Sequence, residues 1–530
     1  MQHQIKKQVL QLLVDPGLDA FAIQQAASNC YWEEILPVLE RVFDDLSSEG
    51  EYLRVDRLEL DLGKITADYL RAGGMWNSGI RAGLYALLKR QLEEGLKGRP
   101  SAEPPLPSRE SVPEHALRQW LYYMQHGRLH WSQSSLGSDA YNAVLETLSA
   151  DYAAVSLLRE AMVRDARLLS RIAAQHPDTF LETLTGILVA EKQTGLIGLI
   201  GDILRMTRRL EADPRPGTAS AETGLVGDQG VSSFRSSNLS AWMERHRDFF
   251  HLPEPRRKEA VWRMVLRQAA ENPATFRAGG ASTLLWDGLS GNDRLLASQL
   301  QRLTPAPGRT TPPPTPEETT IPDKAPQTAT VEPAAKPAIP MGTDSPEDLR
   351  FDEAEVDEEG MYVAHAGVIL LHPFLSTCFS RLHWWEEGHF MDSLAWQKAV
   401  FLLHYLATGE IDATGEKAAP EYQLVLPKIL CGYSPGMPLP ATGGLAEEEC
   451  AEGDELLQMV LIRWEKLQST SVTGLREGFL QRPGKLFRRN DRLVLLVEGH
   501  AIDVLLDFLP WGLGIVKLPW MQEILYVEWR

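Results

Sequence analysis

KLFRRNDRLVLLV, residues 485–497, decides how the C-terminal part of the chain is read. Two apolar-rich runs flank Asn490-Asp491, and both residue types tolerate the left-handed backbone of a tight hairpin turn. The stretch therefore reads as a β-hairpin. Two helical patterns precede it. One covers 394–408. The other covers 454–468, where Leu457, Val460, Leu461, Trp464 and Leu467 line up on one face. Further back, 368–371 is a short apolar run leading into His372-Pro373. Two more apolar stretches, 502–509 and 513–529, follow the hairpin. Residues 360–530 thus read as one aromatic-rich α+β domain.

Composition changes abruptly on the N-terminal side of this domain. Eleven of the 37 positions in 304–340 are proline and none is aromatic. Such a segment buries too little apolar surface to offset its ordering entropy, and proline holds it extended. In 347–359, eight acidic residues stand against one arginine, as at the solvated end of the same linker. We place this disordered linker at 303–359. Residues 114–302 carry helical periodicity in short pieces separated by Gly, Pro or Asp. They have a repeat-like look and a Gly/Ser/Thr-rich break at 212–238. Arg205, Arg208, Arg209, Arg256 and Arg257 read as a solvated helix face.

Residues 1–98 read as a mixed α/β domain. A strand is expected at 5–14, with a turn at Asp15-Pro16-Gly17. Tyr31, Ile35, Val38, Leu39, Val42 and Leu46 then share one helix face, where Pro37 should cause a kink or an early break. EYLRVDRLELDLGKI, 51–65, alternates like a strand, and its phase slip at Asp56-Arg57 reads as a bulge. Ile80, Leu84, Leu87, Leu88, Leu92 and Leu96 mark a second amphipathic helix, ended by Gly98 and Pro100. Residues 99–113 are proline-rich and polar, and read as a short linker.

A net charge of −19 repels phosphate backbones and argues against nucleic acid as a partner. No stretch reaches the ~20 apolar residues of a membrane helix, so no membrane partner is expected. The first residues lack a signal-peptide core, which points to the cytoplasm. Cys30, Cys378, Cys431 and Cys450 are far apart and form no CxxC pair, unlike a disulfide framework or a zinc ribbon.

Catalytic motifs are missing from the sequence. Neither HExxH nor GxSxG occurs, and Gly63-Lys64 lacks the upstream glycine and the following hydroxyl residue of a phosphate loop. His365, His372, Cys378, His383 and His389 match no zinc spacing. We assign no catalytic, cofactor-binding or metal residue and expect neither an enzyme nor a cofactor. Trp384-Trp385, Trp511, Trp520 and Trp529 lie in apolar contexts, where large rings pack.

Several segments resemble one family. They are LLHPFLSTCF (370–379), YQLVLPKILCG (422–432), RWEKLQSTSVTGLREGFLQRPGKL (463–486) and DVLLDFLPWGLGIVKLPWMQEILYVEW (503–529). The doubled Leu-Pro-Trp, at 509–511 and 518–520, is the most distinctive. At the other end, IKKQVLQL (5–12) and YLRVDRLELDLG (52–63) carry the same likeness. All are similar to the contractile injection system tape measure family of phage-tail-like particles. The resemblance implies a structural part that occupies the growing inner tube and sets where polymerisation stops. Inner tube and baseplate proteins would be its partners, with copies of itself as a further candidate. It would be cytoplasmic during assembly, then within the tube or at the baseplate. A baseplate-associated adaptor or scaffold for cargo loading is the alternative. Candidate packing or interface anchors are His372, Pro373, Pro510, Trp511, Pro519, Trp520 and Trp529, since proline ends an element and an adjacent ring packs.

Overall fold

The computed structural model describes residues 3–5, 8–15, 17, 19–47, 50–55, 78–96, 108–133, 135–212, 243–244, 246–277, 356, 360–410, 419–439 and 444–529. The expected bulge at Asp56-Arg57, the helix stop at Gly98 and Pro100, the break at 212–238 and the linker at 303–359 lie outside these residues, single edge positions aside. The chain divides into two compact bodies. One is Met1–Tyr122 with Leu129–Ala150; the other is Tyr123–Arg128 with Asp151–Arg530.

In the first body, helix α1 (Ala20–Cys30) begins at Asp19, whose carboxylate accepts the amides of Phe21 and Ala22 at 3.1 and 3.2 Å. A π-helical turn, Tyr31–Ile35, leads directly into α2 (Leu36–Leu46). Pro37 sits in the first turn of α2, so the helix does not break there. The wider π turn relieves the clash that the proline ring would make with the carbonyl one turn earlier. Tyr31, Ile35, Val38, Leu39, Val42 and Leu46 are all buried, against Leu84, Leu88 and Leu92 of α3 (Ser78–Leu96). Glu34 lies in the same seam and receives Arg81 Nε at 2.7 Å and Nη2 at 2.9 Å. Strand β1 (Glu51–Arg54) pairs antiparallel with β2 (Ser108–Ser111), and Leu53 and Val55 lean on this core. Residues 108–111 are therefore a strand, although their local composition reads as linker. The strand expected at 5–14 does not form in residues 8–15, which have no ladder partner among the described residues. Helices α4 (Val112–His126) and α5 (Ser138–Ala150) follow.

The second body opens with α6 (Tyr152–Arg164), α7 (Ala166–Gln175), α8 (Asp178–Val189) and α9 (Leu196–Ala212). Asp151 and Asp165 cap α6 and α7 through their carboxylates. After a short helix, α10 (Arg247–His251), the long α11 (Glu254–Glu271) packs on all four of α6–α9. Its Arg257 is buried, contrary to the reading as a solvated face. Nε donates to Leu252 O at 2.8 Å, Nη1 to Thr207 Oγ1 at 3.1 Å, and Nη2 pairs with Glu211 at 3.0 Å. These partners come from the preceding loop and from α9, and local sequence does not reveal them. Arg205 and Arg208 do lie at the surface, paired with Asp202 and Glu254.

The C-terminal core wraps around a 3-10 helix, Ala366–Leu371, whose six residues are all buried. Helices α12 (His372–Arg381), α13 (Ser393–Thr408), α14 (Val425–Leu430) and α15 (Glu447–Arg463) surround it. Between α12 and α13 lies a small hairpin of β4 (Trp385–Glu386) and β5 (His389–Phe390). A five-stranded mixed sheet closes the core. Its strands are β3 (Met361–Val363), β6 (Gly484–Arg489), β7 (Arg492–Val497), β8 (Ile515–Val516) and β9 (Leu525–Trp529), in the order β3-β6-β7-β9-β8. The β6–β7 turn is Asn490-Asp491, with φ of 51° and 60°, both left-handed as the hairpin reading requires. Strand β9 runs parallel to β7, after a 3-10 helix at Ala501–Phe508.

Leu88 is fully buried in the first body, whereas Ile80 on the same helix is 36% exposed. Leu88→Ala should cost about 2–5 kcal/mol in urea unfolding of the full chain. Ile80→Ala should cost less than about 1 kcal/mol. Equal effects would mean that α3 does not present this face to α2.

Candidate functional site

At the centre of the second body are three charged side chains with no exposure at all: Arg171, Glu421 and Lys428. Arg171 comes from α7, Glu421 opens the 3-10 turn Glu421–Leu424, and Lys428 stands in α14. Arg171 Nε reaches Glu421 Oε2 at 2.8 Å and its Nη2 reaches Oε1 at 3.2 Å, a two-pronged pair. Lys428 Nζ meets the same carboxylate at 2.5 Å. Two cations and one anion leave a formal charge of +1, and backbone carbonyls supply the remaining acceptors. Pro435 O and Met437 O take Lys428 at 3.1 and 2.7 Å, Gly436 O takes Arg171 at 2.8 Å, and Met124 O accepts from Arg171 Nη1. The Glu421 amide donates to Tyr123 Oη at 2.9 Å and to Gln175 Oε1 at 3.1 Å. Gly127 completes the enclosure. It has φ of +69°, and a Cβ there would lie 2.7 Å from Glu421 Oε1 and 2.9 Å from Arg171 Nη2. Only glycine fits such a position.

A second feature is the C-terminal tail, which carries most of the sequence-derived candidates. Each of its tryptophans donates its indole N–H to the rest of the domain. Trp511 reaches Leu370 O at 3.1 Å, Trp520 reaches Leu430 O at 2.7 Å, and Trp529 reaches Asp503 Oδ2 at 3.1 Å. The rings pack as well: Trp511 edge-on to Phe374 at 5.1 Å, and Trp520 to Trp385 at 4.8 Å. His372 Nδ1 lies 2.9 Å from Ile369 O, so His372 and Trp511 meet the same 3-10 segment. Trp520 and Trp529 lie at separate places, and Pro373, Pro510 and Pro519 are exposed. The candidates do not converge on one point. A cleft of about 540 Å³ does include Trp520 and Pro519, together with Trp385, Phe390, Trp396 and Asp392.

Several buried thiols and histidines are shifted toward their neutral forms. Burial pushes the Cys378 thiol up to about 12 and the Cys431 thiol well above its ordinary value, so neither is a ready thiolate. Burial pulls His176 and His365 down to about 4, His365 also through the neighbouring His404. Gln423 stands by both rings: its Oε1 lies 3.0 Å from His404 Nε2, and its side chain acts on His365 as well. Among the described residues no group of three or more His, Cys, Asp or Glu could hold a metal. No described helix is long and apolar enough to cross a membrane.

Sequence reading missed the charged centre. The one available signal is Lys428, a lone cation inside the apolar run VLPKIL. Its partners lie 7 residues away (Glu421) and, through Glu421, 250 residues further away (Arg171).

Polar groups here bind one another and the chain's own backbone. Residues 2–529 match the family described as contractile injection system tape measure protein. The chain belongs to that family, whose role is structural and which is not an enzyme class. It works with the tube and baseplate components of an injection particle. No curated protein and no solved structure gives a significant match.

Glu421→Gln leaves two buried cations without a counter-charge and should cost about 3–5 kcal/mol in chemical unfolding. Replacing Arg171, Glu421 and Lys428 together by Met, Leu and Met should cost far less, since it removes all three charges from the interior. Acid should also weaken the second body. A histidine whose folded pKa lies below its ordinary 6.5 favours the native state above pH 6.5, and that advantage is lost as pH falls toward 4. Glu259, pushed up to about 7 by burial, acts in the opposite sense. His176, His365 and His404 outnumber it, so thermal stability should decline between pH 6.5 and 4. His176→Leu should flatten that decline.

Proposed function

We propose that this chain fixes inner-tube length during assembly, with residues 360–530 as a folded anchor at one end. The family match over residues 2–529 carries the reading. A fully helical chain of 530 residues would span ~800 Å at ~1.5 Å per residue, and folding shortens that reach. We assign the adjustable length to 303–359, drawn out when the helices of 151–277 part from 360–530 inside the tube, and treat 1–98, 114–302 and 360–530 as the modules around it. His372, Trp511, Trp520 and Trp529 serve as packing anchors of the folded end, and the exposed Pro373, Pro510 and Pro519 as interface anchors. The three indole N–H groups bound within the domain support this. Assembly takes place in the cytoplasm with inner tube and baseplate proteins, and with further copies of the chain, without nucleic acid or membrane.

Particle length under negative-stain electron microscopy tests the proposal. The deletion must spare the helices, because Arg171 is a buried partner of Glu421. Removing the 37 residues 304–340 should shorten particles by up to about 115 Å per measuring copy, at ~3.1 Å per extended residue. Duplicating the segment should lengthen them. Unchanged length in both would move the protein to the adaptor or cargo-scaffold reading.

A further inference from the structure

The five-stranded sheet packs one face on the core, and on the other face Val494 alone among the described residues is buried. Register places Tyr362, Lys485, Leu496 and Glu528 in one row across this second face, and Phe487, Val494, Tyr526 and Ile515 in the next. Arg489 and Arg492 close the pattern, directly opposite each other at the end of the β6–β7 hairpin. Tyr362, Leu496 and Ile515 are 59%, 44% and 63% exposed. Cations and rings alternate. Lys485 Nζ lies 5.7 Å from the Tyr362 centroid and 5.9 Å from that of Phe487, Arg489 is 5.6 Å from Phe487, and Arg492 is 5.1 Å from Tyr526.

Charge makes this face unlike the rest of the chain. The protein carries 72 acidic residues against 53 basic ones, yet this face holds three cations and one acid, Glu528. Glu528 pairs with Arg489. Among the described residues, Lys485 and Arg492 have ring contacts and no carboxylate partner. Like charges directly opposite in a ladder are destabilising. The Arg489–Arg492 pairing is therefore a cost to the hairpin, in a chain with acids to spare. The face is also apolar enough to gain from being covered.

We propose that this face is a docking surface for an acidic, extended segment of a partner protein. Its carboxylates would meet Lys485, Arg489 and Arg492, and alternate apolar side chains would cover Tyr362, Leu496 and Ile515. Period-two alternation of a strand-like segment suits a pleated face. Arg492 then gains a counter-charge, which the sheet itself supplies only to Arg489 through Glu528. The surface stands apart from length measurement, and purified chain suffices to test it.

A fluorescein-labelled peptide alternating Glu and Tyr is titrated with full-length chain and followed by anisotropy. Binding should weaken steeply with salt, and K485E/R489E/R492E should lower affinity about tenfold or more. R205E/R208E, reversing surface arginines elsewhere, should bind like wild type, with circular dichroism confirming that both variants fold. Y362A/L496A/I515A keeps the charges and should also lose affinity. No binding by wild type, or equal binding by wild type and the charge-reversed variant, overturns the proposal. Binding of a single-stranded oligonucleotide in preference to the peptide overturns it in favour of a nucleic-acid partner. Salt-sensitive self-association that the charge reversal abolishes, with no peptide binding, overturns it in favour of a second copy.

Discussion

The Glu421 carboxylate, held between Arg171 and Lys428 without access to water, is the constraint on which the second body depends. Burying three charges costs several kcal/mol per ion, and mutual attraction offsets this only if every donor and acceptor is met. Here each nitrogen and each carboxylate oxygen has at least one partner, in the group itself or among the carbonyls at 124 and 435–437. That requirement reaches outward. Gly127 must stay glycine, Tyr123 and Gln175 must take the Glu421 amide, and α7 must hold its register against the segment that begins at 421. An apolar contact tolerates sliding. A buried, hydrogen-bonded ion group is directional, and so ties α7 to the C-terminal core at defined atoms.

The tail obeys the same logic with a different donor. Tryptophan brings a large apolar surface and one N–H, and a partly buried indole needs an acceptor. Trp511, Trp520 and Trp529 each find one on a separate element, so the last stretch of chain is fastened at three points. Thiols held protonated and histidines held neutral fit the same picture. The chemistry of the C-terminal region serves shape, as the tape measure family's structural role calls for.

Legibility followed distance along the chain. The face formed by Tyr31, Ile35, Val38, Leu39, Val42 and Leu46 was readable because helix periodicity is local, and the structure buries every one of them. Asn490-Asp491 was readable because two adjacent left-handed residues make a hairpin turn by themselves. At Pro37 the helix does not break, because a π turn before it accommodates a proline that a regular turn would not. Strand β9 beside β7 was hidden, since parallel pairing needs a crossover and leaves no turn signal. Residues 108–111 were masked by a polar composition, although β1 pairs with them.

By itself the sequence determined the α+β character of the C-terminal domain, its hairpin, the core faces of the first two amphipathic helices and membership of the family. Each of these rests on periodicity, turn chemistry or motifs within a few tens of residues. Tertiary structure alone decided that Arg171 neutralises Glu421, that Arg257 is an interior residue, and that one sheet face gathers cations in an acidic chain. Those facts depend on which groups meet after the chain has closed. A side chain's charge state and worth are set by its final neighbours, and the order of residues does not state them.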